Sequence, residues 1–181
     1  MTNERLRGAG GFTLIELLLV VTVVGILGSI AIPSMIRARG AAAETSAIAS
    51  LRMIHASETT YASSCGYGYY AASIATLATP PNAGSPAFIS PEFTSDKVDK
   101  QQYRFRFSAD NADKNSKATC NGIAAGKSVT AYFASADVLN TKAGMVNRYF
   151  GMNQTGTVYE SSKKINAFYS GEPKAPAKVL K

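Results

Sequence analysis

Residues 12–32 read FTLIELLLVVTVVGILGSIAI, an apolar run of 21 residues with one charge, Glu16. As a helix the run would measure about 31 Å, close to the roughly 30 Å of a bilayer's hydrocarbon core. Any fold must therefore give this segment apolar surroundings. A polar leader, MTNERLRGAGG, precedes it with Arg5 and Arg7; Pro33, Arg37 and Arg39 follow. With arginines on both sides the positive-inside count is nearly tied, so charge alone does not set the orientation. A secretory signal peptide has an apolar region of about 7–15 residues, so this run is too long, although Gly40–Ala43 offers a small-residue cut site. A plain membrane anchor leaves Glu16 unexplained, because a charge inside a membrane helix costs on the order of 2.5–3.5 kcal/mol. Glu16 lies one helical turn after Phe12. A cut between Gly11 and Phe12 would place a new α-amino group near that carboxylate. In low dielectric the two charges attract, and each lowers the other's burial cost. The amine would come from the same chain or from a neighbour.

The remaining sequence reads as one head following a long helix. Residues 34–62 are alanine-rich, and Ile48, Leu51, Ile54 and Tyr61 recur at near-helical spacing. The helix therefore continues outward from the apolar run, about 76 Å from Phe12 to Ala62 if unbroken. Gly40 is a weak point in it. Residues 63–102 hold Tyr67, Tyr69, Tyr70 and several Gly and Pro, which spells loop with a short helix at 71–77. The tyrosines fill a loop core or form a surface patch. Strand patterns follow: Tyr103–Phe107 alternates cleanly, Ser128–Ser135 is a second candidate, and 147–151 and 156–160 flank a hairpin turn at 152–155. The expected fold is α+β, a long N-terminal helix against an antiparallel sheet of about four strands. Residues 171–181, with Lys174, Lys178 and Lys181, read as a flexible basic tail.

The order leader, Gly11-Phe12-Thr13-Leu14-Ile15-Glu16, apolar span, Pro33 resembles the prepilin signature of type IV pilins and type II secretion pseudopilins. The motif proper covers residues 8–33; a looser similarity runs to about Ala62. The resemblance implies cleavage after Gly11 by a membrane prepilin peptidase, N-methylation of Phe12, and pairing of Glu16 with the Phe12 amine of an adjacent subunit. Gly25 and Pro33 match positions between which helices of this family unwind in filaments. Gly25, Gly28 and Ser29 are weak helix formers, and Pro33 lacks a backbone donor. The same glycines also suit close helix packing in membranes. The implied segments are a leader (1–11), a transmembrane and assembly helix (12–32), its amphipathic continuation (33–62), a globular head (63–170) and the tail. The implied partners are the peptidase, other pilin subunits, membrane lipid before assembly, and an inner-membrane assembly platform with its secretin. The implied location is the bacterial inner membrane, N-terminus cytoplasmic, and then a pilus or a periplasmic pseudopilus. A head outside the cytoplasm favours a disulfide between Cys65 and Cys120, the only cysteines; two unpaired thiols are the alternative. Many type IV pilins bracket a C-terminal loop with their disulfide, and this pair does not.

Other signals are weaker. One His and two Cys leave little for a zinc site or a Ser-His-Asp triad. His55 reads as a packed or half-exposed helix residue. Gly122–Ser128 is one residue short of a phosphate-binding loop, with Asn121 where the first glycine belongs. Asp110, Asn111, Asp113 and Asn115 suggest calcium, but Lys114 and Lys117 oppose it and the EF-hand glycine is missing. Major pseudopilins tend to hold calcium near the C-terminus, which is lysine-rich here. The net charge of +7 permits contact with nucleic acid, read here as an unfavoured partner. The expectation is a structural subunit with no catalytic residue, cofactor or metal. A pilus subunit, a pseudopilin of a type II secretion system, and a minor or tip pilin for adhesion or DNA uptake stay open, as does the choice between major and minor subunit.

Overall fold

A computed structural model describes residues 11–140 and 146–180. The expected leader lies outside the described residues except for Gly11. The chain forms two compact units, Met1–Arg39 and Gly40–Lys181.

Helix α1, Leu14–Ser64, runs through both units. In the first unit its surface is apolar and exposed almost throughout, from Leu14 to Ile36. It is the one helix among the described residues long and apolar enough to cross a membrane. Pro33 lies inside it without ending it. Hydroxyls help satisfy carbonyls along this stretch: Thr22 Oγ1 donates to Leu18 O at 2.8 Å, Ser29 Oγ to Ile26 O at 2.7 Å and Ser34 Oγ to Ala31 O at 2.8 Å.

In the second unit α1 buries one stripe: Gly40, Ala43, Ala47, Ser50, Leu51, Ile54, Ser57, Glu58, Tyr61 and Ala62. This is the three-and-four spacing of one helical face. The helix closes where the N–H groups of Cys65 and Gly66 both reach Tyr61 O, at 2.9 and 2.8 Å. A short α2, Ile74–Ala78, is capped by Ser73, whose side chain accepts from Thr76 N, and by Asp96 Oδ1, which accepts from Ile74 N at 2.7 Å.

The sheet is antiparallel with six strands in sequence order: β1 Lys97–Lys100, β2 Tyr103–Ala109, β3 Tyr132–Val138, β4 Tyr149–Asn153, β5 Val158–Ser161 and β6 Lys178–Val179. The sequence pattern predicts about four strands. The two additional strands are the edges, short and rich in lysine, which is how edges are kept from pairing with other chains. β6 lies within the stretch expected as a flexible tail. β3 begins at Tyr132, four residues later than its expected start. The hairpin turn falls at 154–157, with Gly156 at φ +78°, so Met152 and Asn153 belong to β4.

Tyr103, Phe105 and Phe107 of β2, Tyr132, Ala134 and Ala136 of β3, and Phe150 and Met152 of β4 share one core with Leu51, Ile54 and Tyr61 of α1. Side chains alternate across a strand. The opposite face of β3 and β5 holds a second, smaller core: Phe133, Tyr159 and Ile165, joined by Phe168, Tyr169 and Ala177. The segment after β5 therefore covers the outer sheet face. Gly151 makes room for it: a Cβ there would lie 3.0 Å from the Phe133 ring and 3.3 Å from Ile165.

Candidate functional site

The apolar helix begins with a reciprocal cap. Thr13 precedes the first helical residue, and its Oγ1 accepts from Glu16 N at 3.3 Å. Glu16 Oε2 in turn accepts from Thr13 N at 3.3 Å and Thr13 Oγ1 at 3.1 Å. This is a capping box, in which a threonine and an acid three residues later satisfy each other's otherwise orphan N–H groups. The negative charge also sits at the positive end of the helix dipole. The sequence signal is T-x-x-E at residues 13–16. The apolar setting of Glu16 points to an amine partner for it and leaves Thr13 without a role; the cap gives both residues a local one.

The other candidate residues surround this cap. Gly11 and Phe12 precede the helix, and Phe12 is 84% exposed. The Gly11–Phe12 bond is thus outside regular structure. Gly25 and Gly28 lie inside α1, and at both of them and at Gly11 the space where a Cβ would be is open. Pro33 is exposed on the same helix. Packing within the chain therefore does not demand glycine at these three positions. The structure brings Glu16 together with Thr13; Gly25 and Pro33 lie further along the helix.

Cys65 and Cys120 form a disulfide with Cα atoms 4.9 Å apart. It joins the end of α1 to the loop between β2 and β3. Next to it, Asn121 Nδ2 donates to Thr76 O at 2.8 Å and Thr79 O at 3.2 Å, so the loop is fastened to α2 as well. A charged clasp holds the middle of α1. Arg148 pairs with Glu44 of α1, and its Nη1 lies 2.7 Å from Glu160 Oε2 of β5; Lys178 of β6 reaches Glu160 Oε1 at 3.3 Å. Neither Glu44 nor Arg148 carries a pattern that marks it in the sequence.

The residues behind the weaker signals lie in several parts of the head. Tyr70 packs edge-on against Tyr132 with centroids 5.1 Å apart, whereas Tyr67 is exposed with Lys117 Nζ 5.5 Å from its ring. His55 Nδ1 lies 2.6 Å from Tyr132 Oη and its ring abuts Gly156. The Gly122–Ser128 stretch is irregular, with Gly122 and Gly126 at positive φ. Asp110 and Asp113 accept from the N–H groups of Asn111 and Asn115, each at 2.8 Å. Among the described residues there is no group of three or more His, Cys, Asp or Glu side chains able to hold a metal.

Comparison with known families gives one match. Residues 6–32 fit the family described as "Prokaryotic N-terminal methylation motif". The match spans the apolar half of α1 and its cap, and it is the signature of type IV pilins and pseudopilins. No curated protein and no solved structure matches the chain.

Proposed function

We propose that this chain, a bearer of the type IV pilin and pseudopilin signature, is a structural subunit of a type IV pilus or pilus-like filament. It is made as a membrane precursor with its N-terminus in the cytoplasm of a bacterium. Prepilin peptidase cuts between Gly11 and Phe12 and methylates the Phe12 amine. Subunits then polymerise through α1, assisted by an inner-membrane platform and a secretin. The observation that carries this reading is the methylation motif falling on a helix whose apolar surface is exposed on every side. In the filament, neighbouring subunits cover that surface and keep it out of water once the subunit leaves the membrane, worth about 25 cal/mol per Å² relative to exposing it. In the membrane, lipid covers the same surface before assembly. Nothing in this scheme asks for a cofactor or for chemistry by the head.

On this reading Glu16 has two roles that can be separated. Its hydrogen bonds order the first turn of α1. Its charge pairs with the Phe12 amine of a neighbour and so sets the stagger between subunits. Glu16→Gln retains a capping side chain but loses the charge. Under the proposal, Glu16→Gln is processed but forms few filaments by electron microscopy, while Thr13→Ala retains most of them. Normal filament yield from Glu16→Gln would leave capping as the residue's only role.

The pseudopilin reading shares every feature of α1. Surface filaments lost from a deletion strain support the pilus; lost exoprotein secretion with no surface filaments supports the secretion apparatus.

A further inference from the structure

Glu58 stands on the buried stripe of α1, three residues after His55 and three before Tyr61. It has no solvent exposure. Oε2 accepts the backbone N–H of Ala71 at 2.9 Å, while Oε1 has no hydrogen-bond partner among the described residues. Ala71 is itself fully buried and lies between Cys65 and the Ser73 cap of α2. This segment is closely fitted to the helix: a Cβ on Gly66 would sit 2.2 Å from Tyr69 O and 3.0 Å from the Tyr61 ring. It also joins the β2–β3 loop through the bridge between Tyr70 and Val129.

The titratable groups around Glu58 are His55 and Tyr61 of α1, Tyr70 of the segment and Tyr132 of β3. None supplies a positive charge at neutral pH, since burial lowers the His55 pKa. A buried acid without a counter-ion is held in its neutral form, because taking the charged form out of water is costly. Burial pushes the Glu58 pKa up to about 8, outweighing the Ala71 N–H, which acts to lower it.

We propose that Glu58 is a pH-sensitive latch. Its neutral acid closes segment 65–73 onto α1, and rising pH favours an opened segment in which the carboxylate meets water. The sign follows from the raised pKa. The closing contribution is fully present below the ordinary carboxyl value of 4.5 and is lost progressively as pH rises to about 8. Over that range the local opening constant grows about tenfold per pH unit, then levels off. His55 acts in the opposite direction. Its lowered pKa makes its own contribution fail as pH falls, on the acid side.

The test is amide hydrogen exchange of the full chain in detergent micelles between about pH 6 and 9, each rate divided by its intrinsic value at that pH. Protection at Ala71 should fall about tenfold per pH unit to about pH 8 and then flatten, while Ala134 and Phe150 in the sheet keep theirs. In Glu58→Gln the Ala71 profile should be flat. A pH-independent profile in the natural chain, or the same slope in Glu58→Gln, would overturn the latch. Should Glu58→Gln not fold, infrared titration of the natural chain serves instead. A protonated-carboxyl band persisting to about pH 8 supports the latch, and its loss in the ordinary carboxylate range overturns it.

Discussion

Removing the Cys65–Cys120 disulfide tests how the head is held together. The two cysteines are 55 positions apart, and Cys65 is buried at the end of α1. The β2–β3 loop that carries Cys120 is joined to the rest by the isolated bridge from Val129 to Tyr70 and by the Asn121 bonds. In the chain-entropy model, opening a covalent loop of this length costs about 4 kcal/mol at 25 °C. That is a large share of the 5–15 kcal/mol typical of a domain. The variant is Cys65→Ser with Cys120→Ser, so that no lone thiol remains. The assay is urea unfolding of the full chain in detergent, followed by tyrosine fluorescence, since the chain has nine Tyr and no Trp. With a slope of about 2 kcal/mol per M, the midpoint should move down by roughly 2 M. Limited proteolysis of the folded variant should open first within 110–131. An unchanged midpoint, or first cleavage elsewhere, would refute the reasoning that the bond ties this loop to α1.

Three further substitutions probe the head by the same unfolding assay. Gly66→Ala forces a Cβ toward Tyr69 O and the Tyr61 ring, and should cost about 1–3 kcal/mol by overpacking; an unchanged midpoint would mean the segment yields freely. Leu51→Ala empties a fully buried site between α1 and the sheet, and should cost about 2–5 kcal/mol. Arg148→Met removes the cation shared by Glu44 and Glu160. Arg148 is about half exposed, so solvent screening limits the loss to about 1 kcal/mol, and added salt should shrink the difference from the natural chain.

The sequence displays what rests on one strong period or one long run. α1 is visible because an uninterrupted apolar stretch leads into an alanine-rich segment with apolar residues at helical spacing. β2 is visible because Tyr103, Phe105 and Phe107 alternate with Arg104, Arg106 and Ser108, one face on the core. β3 is harder. It is covered on both faces, by α1 on one and by Ile165 and Phe168 on the other, so its small residues show no alternation. The edges β1 and β6 read as polar loop because lysine suits an exposed edge. The second core escapes notice because residues 162–170, though read as part of the head, carry no helical or alternating period that would set Ile165, Phe168 and Tyr169 against the sheet. At the site, the capping box is legible as T-x-x-E, but an acid in apolar surroundings points first to a charge partner. Glu58 is an acid in register with Ile54 and Tyr61 on an apolar stripe; its burial depends on α1 meeting the segment after Cys65, which no local pattern states.

The central claim is that the chain is a trimmed and methylated filament subunit, and the N-terminus of the cellular protein tests it most directly. Intact-mass and N-terminal peptide analysis of protein purified from its own membranes should find a chain beginning at Phe12 and carrying one added methyl group on its amine. A chain still beginning at Met1, or one beginning beyond residue 40, would contradict the account.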